Sequence, residues 1–146
     1  MANSRSRLAA RVPVARQRIR AAGERLTGPR ATVLALLLDS DTALTHHEIE
    51  DALRGAAHVD RVTVYRVLDW LVALGLAHRI PGDDRIWRFR ANRDPWHGPH
   101  AHFTCSRCGK TVCLDDVAVP SGVKVPKGFL PQKVDLTVQG LCAACH

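Results

Sequence analysis

Two cysteine pairs, Cys105-Ser-Arg-Cys108 and Cys142-Ala-Ala-Cys145, stand 33 residues apart near the C-terminal end of this 146-residue chain. Two residues between thiols let a tight turn aim both sulfurs at one ion, and two such pairs complete the closed tetrahedral shell of a structural zinc. Gly109, directly after the first pair, suits that knuckle turn. A closed thiolate shell leaves no position for water, so the pattern argues for a structural metal and against catalysis there. A redox or disulfide role is the competing chemistry, and His146, beside the last cysteine, is the competing ligand.

The fifth cysteine, Cys113, points to a second centre. In a strand, residues two apart share a face, so His100 and His102 project together and away from Phe103 and Cys105. Cys113 falls on the neighbouring strand, and His78 lies just before a hairpin turn. A metal held by His78, His100, His102 and Cys113 joins two domains across the linker between them. Nitrogen and thiolate ligands in fours favour zinc over iron or manganese, which prefer more oxygen and six-coordination. The plainer reading makes Cys113 a small buried hydrophobe, His78 a surface residue and the histidine-rich linker merely polar, and His97 competes for inclusion. His46, His47 and His58 are expected on helix surfaces, in solvent.

The elements that must position these residues follow from apolar spacing. Ala15, Ile19, Ala22 and Leu26 recur at helical intervals over Val14–Leu26, with Arg11, Arg18 and Arg25 on the other side, and residues 1–13 are expected to be disordered. Thr27-Gly28-Pro29 breaks the chain and opens a second helix with the stripe Val33, Leu34, Leu37 and Leu38. Thr45 with Glu48 has the capping-box spacing, so a third helix follows, buried through Ile49, Ala52 and Leu53 and closed by Gly55. A fourth runs from the N-cap Asp60 to Leu74 before Gly75, with Val64, Val67, Leu68, Leu71 and Leu74 inward and Val62, Tyr65, Arg66 and Asp69 outward. Strands at 76–80 and 85–90 flank Pro81-Gly82-Asp83-Asp84 and carry Arg79, Arg85, Arg88 and Arg90.

This is a winged helix-turn-helix over residues 1–90, followed by a linker at 91–99 and a small second domain at 100–146. That domain has short strands at 101–105, 110–114 and 133–138, and Pro120 and Pro126 leave 115–128 without a clear period. The fold class is α+β.

Charge divides the chain in the same way. The net charge is +7 and the pI near 9.7; residues 1–30 hold eight Arg against the single Glu24, while the rest is balanced. With 46% apolar and 24% charged residues the bulk of the chain should fold. No apolar run approaches the ~20 residues of a membrane-spanning helix. The Arg-scattered start lacks the apolar segment of a secretory signal; a mitochondrial transit peptide is the competing reading, but a helix pattern continues from it. Cysteines in this number without export fit a reducing cytoplasm, where paired thiols hold metal.

A helix-turn-helix places the N-terminal end of its second helix in the major groove of double-stranded DNA. Arg66 can fork onto guanine O6 and N7, and Tyr65 can pack on a thymine methyl. Arg61, Thr63 and Arg30 are assigned to the same face, and the arginines of the hairpin and first helix can meet phosphates. A merely solvated basic face is the alternative.

Four motifs in order, Leu26-Thr-Gly-Pro-Arg30, Val62-Thr-Val-Tyr-Arg-Val-Leu68, His100-Ala-His-Phe-Thr-Cys-Ser-Arg-Cys-Gly109 and Gly140-Leu-Cys-Ala-Ala-Cys145, resemble the ferric uptake regulator family of bacterial metal sensors. The resemblance runs from about Ile19 to Cys145. It implies a homodimeric repressor with a winged DNA-binding domain and a small α/β dimerisation domain holding a structural zinc on four cysteines. The chain looks most like the zinc uptake regulator branch: His78 matches its ligand before the wing turn, and His100 and His102 match its His-x-His element. Cys113 stands where relatives usually have a carboxylate, and Pro99, Ala101 and Val134 stand where many have ligands of another site. The cysteine some zinc sensors carry in the second wing strand is missing; Arg88, Phe89 and Arg90 occupy that neighbourhood.

The sequence thus predicts a cytoplasmic zinc-responsive repressor of zinc uptake genes. It binds operator DNA with one structural and one regulatory zinc per chain and has no membrane partner, no small-molecule substrate and no catalytic residue. A sensor of iron or another metal is the near alternative. A zinc enzyme on nucleic acid is the distant one, since deamination needs an open zinc position and a Glu in a His-x-Glu arrangement beside it, and no such Glu stands near Cys105 or Cys142. A basic architectural protein is a third, and predicts steep salt dependence without sequence preference.

Overall fold

The computed structural model describes residues 4–54, 59–93 and 100–146, and over 4–13 it corrects the expected disorder. Helix α1 spans Ser4–Ala21, straight through Pro13. Leu8 and Val12 pack on the core, and Arg7 and Arg11 approach Asp39 at 3.5 and 3.8 Å. These tertiary contacts offset the backbone bond a mid-helix proline forfeits. The helix also stops before Leu26. Gly23, at φ 76°, donates to the Arg20 carbonyl while Glu24 donates to Ile19, a left-handed glycine cap.

Helix α2 (Gly28–Asp39) has Thr27 as N-cap and Pro29 in its first turn. Strand β1 (Leu44–Thr45), unexpected from sequence, leads into α3 (His46–Leu53). Both capping-box bonds form: the Glu48 N–H donates to Thr45 Oγ1 at 3.1 Å, and the Thr45 N–H to Glu48 Oε2 at 2.7 Å. Gly55 lies outside the described residues. Helix α4 (Arg61–Ala73) is capped by Asp60, whose carboxylate accepts the Thr63 N–H at 2.7 Å. Ile19, Leu34, Leu37, Ile49, Leu53, Val64, Leu68 and Leu71 are fully buried between these helices, each worth about 1.5–3 kcal/mol of transfer.

Strands β2 (Ala77–Pro81) and β3 (Trp87–Ala91) form the wing, with β1 on the far side of β3 in the order β1-β3-β2. Because β3 is central, Arg88 and Arg90 are each only 8% exposed, which corrects their placement among phosphate contacts. Arg88 instead forks onto Asp84, with both nitrogens 3.0 Å from its oxygens. That bond, with the Ile86 N–H, holds the Asp84 carboxyl down at about 2, below its ordinary 3.8. The lowered value means the folded wing favours the carboxylate. Its contribution is fully present above pH 3.8 and is lost as pH falls through about 2. A carboxyl-carbon NMR titration of Asp84 is expected to show that midpoint, and Arg88→Ala to return it toward 3.8.

The chain divides into two compact units, Met1–Pro95 and Trp96–His146. Ala91 belongs to β3, and most of the linker expected at 91–99, including His97, lies outside the described residues. In the second unit β4 (His100–Cys105) and β5 (Thr111–Ala118) are antiparallel, and β6 (Thr137–Gly140) runs parallel to β4, giving the order β5-β4-β6. The strand expected at 133–138 therefore begins later. Where a small α/β domain is implied, the described residues of this unit contribute strands alone. Residues 119–136 form neither helix nor strand, as Pro120 and Pro126 each remove a backbone donor. No helix among the described residues is long and apolar enough to cross a membrane.

Candidate metal centres and DNA-reading helix

The β4–β5 connection is a knuckle. Cys105 N–H donates to the Lys110 carbonyl and Gly109 N–H to the Cys105 carbonyl, both at 2.9 Å. Beyond β6, the Gly140 carbonyl accepts the Ser106 N–H at 2.8 Å, and the Cys142–Cys145 turn closes with a bond of 2.9 Å. The two turns thus face one another, and the sulfurs of Cys105, Cys108, Cys142 and Cys145 all lie within 4.8 Å of one another. Cys108 and Cys142 are 3.7 Å apart at sulfur. A tetrahedral zinc with bonds of about 2.3 Å spaces its sulfurs by about 3.8 Å, so the donor set fits that ion.

Electrostatics agree. Backbone N–H groups of Cys108 and Cys142 aim at the Cys105 sulfur and lower its pKa to about 6, while the neighbouring thiol of Cys142 and burial push Cys145 up to about 12. One thiolate forms readily and the crowding opposes the last, a conflict a bound dication removes. His146 is turned to the Cys142 carbonyl, 3.2 Å from Nδ1, rather than into the sulfur cluster.

A second donor set lies on the same sheet. His102 pairs across strands with Cys113, the His100 and His102 rings meet edge to face at 4.3 Å, and the donor atoms of His100, His102 and Cys113 lie within 4.8 Å of one another. His102 is 8% exposed. Strand alternation foresees this trio. In the N-terminal unit, His78 on β2 pairs its Nδ1 with Asn92 Oδ1 at 2.5 Å. Asn92, which the sequence did not single out, also donates to the Gly75 carbonyl at 2.6 Å, and its own carbonyl accepts from Arg18. Its position just past the wing strand was the available signal.

On α4, Tyr65 is 46% exposed, and Arg61 and Arg66 are exposed. Thr63 is half-buried, with its N–H spent on the cap. Arg30 is engaged within the fold: its guanidinium lies 3.9 Å over Trp70 and donates to the Arg25 carbonyl at 2.6 Å. Arg18 likewise binds the carbonyls of Asn92 and Arg93. Of the three histidines expected in solvent, His47 is exposed, His46 is buried and His58 lies outside the described residues.

A winged helix-turn-helix with an exposed reading helix, joined in one chain to a strand unit bearing soft-donor metal sets, defines a metal-responsive DNA-binding transcriptional regulator. The chain belongs to the ferric uptake regulator family, whose model matches residues 21–131. It is 33% identical over 125 residues to the zinc uptake regulation protein of Escherichia coli K12, covering 83% of this chain and 72% of that protein. The solved structure of holo XcZur is 29% identical, with a TM-score of 0.63, covering 91% of this chain and 94% of that one. A zinc uptake regulator complexed with zinc and DNA shares the fold at 21% identity, with a TM-score of 0.65 over 94% and 93% of the two chains.

Proposed function

We propose that the protein is a cytoplasmic, zinc-responsive repressor that binds double-stranded operator DNA as a homodimer and controls zinc uptake genes. One zinc is structural, on Cys105, Cys108, Cys142 and Cys145. The other is regulatory, on His78, His100, His102 and Cys113. The observation that carries this reading is the trio of two imidazoles and a thiol gathered on β4 and β5 apart from the four-cysteine cluster. The likeness to the E. coli zinc uptake regulation protein supports the choice of metal.

A zinc ion held by these four residues would restrain the wing and the C-terminal strands through shared ligands. His100, His102 and Cys113 present donors from a rigid sheet, and His78 presents one from the wing. The Asn92 contact selects the tautomer with Nδ1–H, so the Nε2 lone pair is the one offered to metal. Arg66 and Tyr65 then read bases, with Arg61, Thr63 and Arg30 on the flanking backbone. DNA affinity rises only by the difference in metal affinity between the competent and incompetent arrangements.

The test restores DNA binding to protein stripped of its exchangeable metal, using a duplex selected from a random pool on zinc-loaded protein. Zinc is expected to act at a lower free concentration than Fe(II), Mn(II) or Ni(II), and Cys113→Ser to weaken that advantage. Equal restoration by iron or manganese contradicts the zinc reading. Asn92→Ala is expected to weaken the exchangeable zinc about 10- to 100-fold, the usual cost of losing a ligand's orienting partner, with the four-cysteine zinc retained. Competition against a chelating dye measures both.

A further inference from the structure

His46 opens α3 and is only 9% exposed, against the expectation of a solvated ring. Its ring lies flat on Tyr65, with centroids 3.4 Å apart and planes inclined by 19°. Tyr65 sits in the second turn of α4, so one face of the phenol is covered while the side chain stays 46% exposed.

The imidazole sits beside charged groups without a hydrogen bond to Glu50. Its Nδ1 stands 3.1 Å from Glu50 Oε1, one turn along α3. The same oxygen lies 3.5 Å from Arg61 Nε, and the Arg61 guanidinium carbon is 6.0 Å from the Tyr65 ring centroid. The capping box of Thr45 and Glu48 fixes the backbone from which His46 springs. Burial lowers the pKa of the ring, Arg61 and His47 add to the lowering, and Glu50 opposes it.

We propose that His46 is a positioning residue for DNA recognition, its buried imidazole stacked on Tyr65 so that the phenol is already ordered when it meets a base. This rests on the assignment of Tyr65 to the DNA-reading face. An aromatic side chain on an open helix face must otherwise be ordered on binding, which costs about two- to tenfold in affinity. Simple packing of α3 on α4 also accounts for a buried ring, but it makes no demand on which base is chosen.

Tyr65 is the single tyrosine of the chain, so a tyrosine-labelled sample reports on this ring alone. The zinc-loaded full chain is titrated with the pool-selected duplex and with a set of single-base-pair changes in it. Tyr65→Ala first identifies the base pair at which discrimination depends on the phenol. His46→Ala is then expected to shift the Tyr65 ring resonances, lower affinity about two- to tenfold, and reduce discrimination at that same base pair. The salt dependence should stay unchanged because phosphate contacts remain. His46→Phe, which keeps a stacking ring, is expected to restore the discrimination.

The proposal is overturned if His46→Ala leaves the Tyr65 resonances and discrimination unaltered, or weakens all duplexes equally, or if His46→Phe fails to rescue while folded. If Tyr65→Ala itself changes no discrimination, the DNA assignment of Tyr65 falls and takes the inference with it. If only the His46 variants are silent, the inference falls alone.

Discussion

Replacing Cys142 by Ser is expected to remove one zinc per chain and unfold the C-terminal unit. Little else holds that unit together: among its described residues, the buried hydrophobic side chains are Ala101 and Cys105. The four-cysteine cluster ties the knuckle after β4 to the turn after β6, and Cys142 contributes both its sulfur, 3.7 Å from Cys108, and an N–H at 3.4 Å from the Cys105 sulfur. Where metal and fold depend on each other in this way, the binding free energy is folding free energy, of order 10–16 kcal/mol for structural zinc. Elemental analysis, circular dichroism and size-exclusion chromatography of the variant should show one zinc fewer, lost strand signal and no dimer. A folded dimer with unchanged zinc contradicts the structural role.

His102→Ala should have the second largest effect, and a different one. His102 is buried opposite Cys113, yet the strand is held by backbone bonds, including the His102 N–H to the Leu136 carbonyl at 3.0 Å. Removing the imidazole should therefore spare the fold and the four-cysteine zinc while abolishing the zinc-dependent gain in DNA affinity. Couplings between an effector site and a second ligand are usually about 5- to 150-fold, and that factor is what the variant should lose at zinc levels that saturate the wild type. Fluorescence anisotropy of the selected duplex with and without zinc reads it. A retained zinc response separates His102 from regulation.

The clustering of the sulfur and imidazole donors was legible because it is local. Paired Cys-x-x-Cys spacing needs only a turn to become two ligands, and strand alternation put His100 beside His102 before their partner strand was known. The reading helix was legible through Asp60, Gly75 and its apolar spacing. What escaped depends on neighbours distant in sequence. Two residues, Leu44 and Thr45, are too short a strand to announce themselves, yet by pairing with Phe89 and Arg88 they make β3 central, and Arg88 and Arg90 on it are buried. Pro13 reads as a break until Leu8 and Val12 find the core. Gly23, the left-handed cap that ends α1 early, falls between Ala22 and Leu26, whose spacing by itself continues the helix. The burial of His46 also left a signal, since it shares a helix face with Ile49 and Leu53 at the spacing of a buried stripe.

In the proposed mechanism one zinc holds the fold while another controls DNA binding. Zinc counted per chain before and after mild chelation, with DNA affinity measured on the same samples, tests it most directly. Two zinc ions per chain are expected, one removed by the chelator, with DNA affinity falling as that one leaves and returning when it is restored. DNA affinity that stays constant while the exchangeable zinc is removed and the four-cysteine zinc remains bound would contradict it.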